Sequence, residues 1–383
     1  MKDWAILILV VSLGFNFPGS GDKKISTAVK VPVNSINQQD TMQYDGPYVF
    51  YKNDKVFTEY ILQVGVSKIV KEDSVALSQK QNIVLKVNTD EPGKFFSVRL
   101  KDKLEEEKDV TKKVSKVFAC SDIEGNFAGF RKLLQGNGII DNSLNWSFGD
   151  GHLVLIGDFF DRGEQVTEVL WFIYLLEEKA KAAGGYVHFI LGNHEIMNLS
   201  SDLRYVNAKY TNNAVLLGER YESLYTANTE LGRWLRTKNV IERVGDVLYL
   251  HAGISSEINR LAMSVRDINK LARPYYADTL YDYKDPRQGL IMADLGPFWY
   301  RGYYTGKTKA TQEQVDSTLW QYNVRHIATG HTIVADTVSV WYDGKVFNTD
   351  VHHAAGKSEA LLIEGDNYYR VSATGNKLLL MEK

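Results

Sequence analysis

The chain begins with an apolar run over residues 4–13, preceded by Lys2 and broken by Pro18-Gly19-Ser20-Gly21. That run is about half the ~20 residues a membrane-spanning helix needs, and it has the form of a signal-peptide core. Residues 1–21 are therefore expected to be a signal peptide or an N-terminal anchor, followed by a polar linker over 22–45. From residue 48 the pattern turns strand-like. Apolar runs at 48–51, 60–66, 75–77, 83–87 and 95–100 are punctuated by turn residues such as Lys52-Asn53-Asp54 and Asp90-Glu91-Pro92-Gly93. They predict a small all-β module over 46–110, with the charged stretch 101–113 as a solvated connector to the next domain.

From residue 114 short apolar strands each end in a polar, glycine-containing turn. Val117-Phe118-Ala119-Cys120 leads into Ser121-Asp122-Ile123-Glu124-Gly125-Asn126, and Leu153-Val154-Leu155-Ile156 into Gly157-Asp158-Phe159-Phe160-Asp161-Arg162-Gly163. Val187-His188-Phe189-Ile190-Leu191 leads into Gly192-Asn193-His194-Glu195. Helical spacing intervenes at 127–134 and 166–183. Strand, turn and helix in repetition predict a βαβαβ unit with a parallel sheet, and in such sheets ligands gather beyond the carboxyl ends of the strands. The same grammar recurs where Val247-Leu248-Tyr249-Leu250 precedes His251 and where His326-Ile327-Ala328-Thr329 precedes Gly330-His331.

Inserts at about 200–243 and 256–297 are expected to cap these strand ends, the helical patch 231–235 included. Runs in the C-terminal third, at 338–341, 345–347, 360–363, 368–371 and 377–381, alternate like a second sheet packed on the first. The fold class expected is α/β, a four-layer α/β/β/α sandwich of two packed mixed sheets over 114–383, preceded by the small all-β module.

Composition narrows the chemistry. The chain of 383 residues carries 45 Lys+Arg against 47 Asp+Glu, a net charge of −2, and is 44% hydrophobic. That is globular composition, with no electrostatic reason to expect nucleic acid as a partner. The lone cysteine, Cys120, excludes an intramolecular disulfide and a CxxC metal site, and its place in a core strand marks it as buried and inert. Any metal must be held by His, Asp, Glu or Asn, a donor set that suits two harder divalent ions such as Mn, Fe or Zn. His152, His188 and His326, in or beside strands, read as structural, while His352-His353 either covers the sheet or touches substrate.

The series Ser-Asp-Ile-Glu-Gly, Gly-Asp-Phe-Phe-Asp-Arg-Gly, Gly-Asn-His-Glu, His-Ala-Gly-Ile and Gly-His-Thr resembles the PPP phosphoprotein phosphatases among the calcineurin-like metallophosphoesterases. The stretch Leu295-Gly296-Pro297-Phe298-Trp299-Tyr300-Arg301-Gly302 is similar to their bacterial Shewanella-like branch. The likeness runs over 114–350 and gives the first 110 residues no counterpart. It implies two divalent metal ions (Mn, Fe, Zn or Mg, with Mn favoured), the first held by Asp122, Glu124 and Asp158. Asp158 would bridge to the second, completed by Asn193, His251 and His331. A hydroxide between the ions would attack phosphorus in line. His194, oriented and kept cationic by Asp161, would protonate the leaving group, and Arg162 and Arg301 would clamp the phosphoryl oxygens beside Asn193. Glu195 reads as structural.

One position departs from the family. Asp122-Ile123-Glu124 stands where Asp-x-His is usual, adding a carboxylate to the first metal position. The expected effects are weaker selectivity for iron, a preference for Mn or Mg and an alkaline-shifted pH optimum. The opposing reading is an empty first position in a non-catalytic phosphate-binding surface protein. Aromatic and basic residues of the first insert, Arg204, Tyr205, Tyr210 and Tyr221 among them, either grip a phosphorylated aromatic group or simply pack. The implied function is a phosphomonoesterase acting on phosphotyrosine or phosphoserine/threonine in protein, peptide or small phosphoester substrates. A nucleotide hydrolase of the diadenosine tetraphosphatase type is the alternative. With an export signal, the location is the bacterial periplasm or cell surface, without membrane embedding beyond an N-terminal anchor.

Overall fold

The computed structural model describes residues 30–32, 41–306 and 309–382, so the signal or anchor segment expected over 1–21 lies outside the described residues. β1 (Lys30–Pro32), β2 (Thr41–Lys52), β3 (Lys55–Val64) and β4 (Ser67–Ala76) form a sheet in the order β1-β4-β3-β2, and β5 (Val84–Asn88) pairs with β6 (Phe95–Arg99). Because β2 starts at Thr41, the last residues of the expected 22–45 linker are strand. Polar side chains hid this, since Gln43 and Asp45 pair through their backbones with Leu62 and Ile61. Asp45 is buried there, its carboxylate accepting from Tyr48 and Asn213.

The connector is not simply solvated. Lys101 pairs with Glu177, and Glu107 pairs with the buried ammonium of Lys238 and accepts from Tyr186 Oη. The stretch ends in β7 (Val110–Thr111), which joins the sandwich.

In the sandwich the order is β8 (Lys116–Cys120), α1 (Phe127–Gly136), β9 (His152–Ile156), α2 (Val166–Ala182), β10 (Tyr186–Ile190) and α3 (Asn193–Leu199). Next come α4 (Ala208–Leu217), α5 (Glu230–Leu235), β11 (Ile241–Val244), β12 (Val247–Leu250), α6 (Ser256–Arg260), α7 (Val265–Ala272) and α8 (Pro286–Met292). The chain closes with α9 (Gln312–Tyr322), β13 (His326–Thr329), β14 (Ser339–Trp341), β15 (Val346–Asn348), β16 (Glu359–Glu364), β17 (Asn367–Ser372) and β18 (Lys377–Glu382). One six-stranded sheet has the order β10-β9-β8-β16-β17-β18, with β8, β9 and β10 parallel; the other has the order β14-β15-β13-β12-β11-β7.

The period-2 alternation of strands builds two cores. Val117, Ala119, Val154 and Ile156 face Val247, Tyr249, Ala328 and Phe347 between the sheets. Phe118, Cys120, Leu153 and Leu155 face the helices. Helix starts follow from side-chain caps: Asn126 Oδ1 accepts from Gly129 N (2.9 Å) at α1, and Ser264 and Asp267 form a capping box at α7. His152, His188 and Glu242 form a buried relay, with ring-to-ring N···N 2.9 Å and His188 Nδ1 2.6 Å from Glu242 Oε2.

Two expectations are corrected. The C-terminal runs do not make one second sheet: β14 and β15 join it, but β16, β17 and β18 extend the first sheet, with β16 antiparallel to β8. Alternation shows a half-buried strand but not which sheet it pairs with. Nor does the 231–235 patch cap the strand ends, because Trp234 of α5 packs against Phe189 and Tyr174 in the helical layer of the first sheet. In the second insert, α7 likewise covers the outer side of its sheet, with Asn269 Oδ1 accepting from Val240 N at 2.9 Å.

The N-terminal module shares its core with the sandwich. Phe96 of β6 stacks on Phe127 and meets Phe172 edge-on at 5.3 Å, and Trp171 Nε1 donates to the carbonyl of Pro47 at 2.9 Å. Phe172 also contacts Phe127 and Phe130. Truncation of this ring in Phe172→Ala is expected to destabilise the protein by roughly 3–5 kcal/mol. Urea unfolding followed by far-UV circular dichroism should show module and sandwich shifting together in one transition; two separated transitions would show that the shared core does not couple them.

Candidate metal centre

All the motif-bearing turns lie at one edge of the two sheets, and backbone hydrogen bonds tie them together. Asp122 N donates to Gly157 O (2.9 Å), Glu124 N to Asp158 O (3.0 Å), Gly163 N to Glu124 O (2.9 Å) and Arg162 N to Tyr205 O (3.0 Å). Asp122, Glu124, Asp158, Asp161, Arg162 and His331 all have positive φ, which non-glycine residues adopt only where surrounding structure enforces it. Glu195 supplies much of that enforcement. Its buried carboxylate accepts from the backbone N–H of Asp158 (2.9 Å), Phe159 (2.7 Å), Phe160 (3.3 Å) and Gly192 (2.6 Å), in keeping with a structural role. Gly192 must be glycine, since a Cβ there would lie 2.2 Å from Asp158 Oδ1.

Asp158, His251 and His331, all buried, present ligand atoms within 4.8 Å of one another. His251 Nδ1 donates to Ile156 O (2.7 Å), which turns Nε2 toward Asp158 Oδ2 (3.0 Å) and Asn193 Oδ1 (3.0 Å). Fixing one imidazole nitrogen on a carbonyl so that the other faces a cation is how ligating histidines are oriented. His331 Nε2 meets Trp299 O at 3.1 Å, leaving Nδ1 for the cluster. Both oxygens of Asp122 accept from His331 N, at 3.3 and 3.2 Å, and Glu124 Oε1 is held by Arg162 Nε at 2.8 Å. The oxygen- and nitrogen-rich donor set therefore fits divalent ions.

Beside it, His194 Nδ1 lies 2.6 Å from Asp161 Oδ2, and Asp161 Oδ1 accepts from Asn198 Nδ2 at 2.8 Å. Asn198 Oδ1 in turn accepts from Tyr221. His194 Nε2 points into the centre, 3.7 Å from Asp158 Oδ2. Burial alone would depress this imidazole, but Asp158 and Asp161 outweigh it and raise it to about 9. His251 is likewise raised to about 9, burial being outweighed by Asp158. Asp158 itself is lowered, its burial overcome by His251 and His194. Burial pushes Glu124 up to about 7 despite Arg162. It also holds Asp122 and Asp350 well above the carboxylate range, with repulsion from neighbouring carboxylates adding to it.

At the rim Tyr205, 45% exposed, lies 5.1 Å from the His194 ring and is flanked by the guanidinium groups of Arg162 and Arg204. Tyr210, Tyr221 and Tyr225 of the same insert are buried, so most of its tyrosines pack. Arg301 Nη1 donates to His331 O and Thr332 Oγ1. His353 is buried, with Nδ1 3.1 Å from Ser358 Oγ, and His352 pairs with Asp336, so neither joins the cluster.

Sequence reasoning missed Asn198, whose helical context carries no signal, and Asp350, and it named Tyr221 without its place in the Asn198–Asp161 chain. For Asp350 a signal existed: it comes just after the 345–347 run in the same strand-then-acid grammar as the other turns.

The calcineurin-like phosphoesterase family matches residues 115–335. The crystal structure of a cold-active protein-tyrosine phosphatase from a psychrophilic Shewanella species is similar at 36% identity and TM-score 0.78, covering 88% of this chain and 99% of that one. Shewanella-like protein phosphatase 2 of Arabidopsis thaliana is 37% identical over 97 residues, 25% of each chain. Shewanella-like protein phosphatase 1 of Plasmodium berghei is 27% identical over 230 residues, 57% of this chain and 61% of that protein. The chain thus spans a quarter and about three fifths of the length of these two relatives. It belongs to the calcineurin-like phosphoesterases, and residues 115–335 form a metal-dependent phosphoester hydrolase domain of that class.

In metal-free protein Glu124, His194 and His251 have folded-state values above their ordinary 4.5, 6.5 and 6.5. Raised groups contribute stability that is complete below the ordinary values and is lost as pH climbs through the folded ones, about 7 and about 9. EDTA-treated protein should therefore melt at falling temperature between about pH 7 and about pH 9.5, above the range in which the lowered His331 acts in the opposite direction, and added Mn should flatten the decline. Scanning calorimetry reads both; a flat profile without metal would contradict this charge arrangement.

Proposed function

We propose that the protein is a dinuclear metal-dependent phosphomonoesterase acting on phosphorylated proteins or peptides, with phosphotyrosine preferred. The observation that carries this reading is the His194–Asp161 pair, aimed into the buried Asp158–His251–His331 cluster and roofed by Tyr205. Asp122, Glu124 and Asp158 would hold one cation, and Asp158, Asn193, His251 and His331 the other. When bound, the two cations supply Lewis acidity toward water and the phosphoryl oxygens. Mn is the favoured ion.

The residues around them handle proton and charge. With Nδ1 committed to Asp161, the His194 proton available to a leaving oxygen sits on Nε2, and the Asp161 carboxylate favours the protonated ring. Arg301, fixed by the His331 carbonyl, and Arg162, at the rim, clamp phosphoryl oxygens with planar N–H forks. Tyr205 offers an aromatic face to a phosphorylated ring, and a cavity of about 560 Å³ beside Glu124 and Arg162, lined also by Tyr44 and Lys209, receives flanking peptide. The similarity to a protein-tyrosine phosphatase supports the same preference. The apolar run at 4–13 supports export to the periplasm or cell surface. Among the described residues no helix is long and apolar enough to cross a membrane.

The test is phosphate release from matched phosphotyrosine and phosphoserine peptides with Mn present. The phosphotyrosine peptide should have the higher kcat/KM, Tyr205→Ala should erase the difference by raising KM, and His194→Asn should lower kcat by roughly 10²–10⁴-fold. No turnover of either peptide with any divalent ion would sink the enzymatic reading; equal rates would sink the phosphotyrosine preference alone.

A further inference from the structure

The metal centre contains one more acid than the sequence motifs name. β15 runs parallel to β13, so the chain leaves it beside Gly330-His331, at the same edge as the other turns. Thr349 pins it there, with its N donating to Thr329 O (2.7 Å) and its Oγ1 to Thr329 O and Ser121 Oγ (both 2.9 Å). Asn348 Nδ2 donates to Thr332 O (2.8 Å), and Asn348 Oδ1 accepts from Asp350 N (2.8 Å). These bonds hold Asp350 between the residue preceding Asp122 and the turn that carries His331.

The Asp350 side chain is correspondingly closed off, at 5% exposure, yet its carboxylate takes part in no hydrogen bond or ion pair among the described residues. Other buried acids of the site are compensated: Glu195 by four backbone N–H groups, Asp161 by His194 and Asn198. Glu124 and Asp158 are the carboxylates acting most strongly on Asp350, and Asp350 is the one acting most strongly on Asp122. An almost wholly buried carboxylate without a hydrogen-bond donor, repelled by Glu124 and Asp158 more strongly than it is drawn by Arg301 or Arg162, is relieved by a cation placed between these acids.

We propose that Asp350 is a metal ligand which, with Asp122, Glu124 and the bridging Asp158, makes the first cation position an all-oxygen site for a hard divalent ion. This rests on the dinuclear reading above. The four carboxylates match the charge of two divalent ions, and oxygen-only coordination selects Mn or Mg over ions that favour imidazole. Asp350 thereby gives the unusual Glu124 a partner: the two acids together define a first position that differs in kind from the imidazole-rich second one.

Isothermal titration of Mn into EDTA-stripped full-length protein tests this, with electron paramagnetic resonance to detect a spin-coupled Mn pair. Wild type should bind two Mn per chain, and Asp350→Asn should bind one, or the second at least about 10-fold more weakly, with the coupled signal lost. Metal-free Asp350→Asn should melt at or above the metal-free wild-type temperature, because the Asp350 side chain makes no hydrogen bond or ion pair among the described residues whose loss would cost stability. Two ions bound by Asp350→Asn with unchanged affinity would overturn the inference and leave the dinuclear reading standing. Fewer than two ions in wild type would overturn both. A metal-free variant that melts below wild type would make Asp350 a structural residue and likewise overturn the inference.

Discussion

The site depends on one buried carboxylate that touches no substrate. Glu195 gathers the N–H groups of Gly192, Asp158, Phe159 and Phe160 onto two oxygens, joining the turn after β9 to the turn after β10. Without an acceptor these donors would be orphaned in a dry interior, at a cost of about 1–3 kcal/mol each. With it, Asp158 is set in a left-handed backbone conformation from which its two oxygens serve different partners, His194 N and His251 Nε2. The rest of the centre is assembled around the position of that one aspartate.

Electrostatics then divides the centre into two regimes. Around Asp158 the partners are cationic imidazoles, so its charge is well compensated. Around Asp122, Glu124 and Asp350 the partners are other carboxylates, and burial and repulsion act in the same direction. Arg162 offsets part of this by pairing with Glu124 at 2.8 Å, and its guanidinium stays more than half exposed. In the dinuclear reading proposed above, a cation would take Glu124 and a phosphoryl group Arg162, so each would release the half of the ion pair that the other needs.

Much of this was legible in the residues. Asp122, Asp158, Asn193, His194, His251 and His331 each come after a short apolar strand, and strands that run parallel bring their carboxyl ends to one edge. The hydrogen-bond grammar within that edge was not legible, because Asn198 and Tyr221 act from helical segments whose spacing reports burial and not partners. Sheet membership was also hidden: β16 reads the same whether it pairs with β8 or with β15, and only the placement of long-range neighbours decides. Polar strand residues such as Asp45 defeated hydrophobic patterning where side-chain donors, here Tyr48 and Asn213, made their burial tolerable.

The placement of β16 has a consequence for the order in which the molecule assembles. Its antiparallel pairing puts Leu361 and Leu362 against Ala119 and Phe118, the central strand that carries the Asp122 turn, and Thr349 reaches Ser121 across most of the chain. During synthesis the emerging chain can form β8, β9 and β10 first, but β8 keeps an open edge and the turn after it lacks its clamp until residues 349–364 have been made. The edge that carries Asp122 is therefore closed by contacts made across more than two hundred residues, and cannot be complete before residues 349–364 are in place.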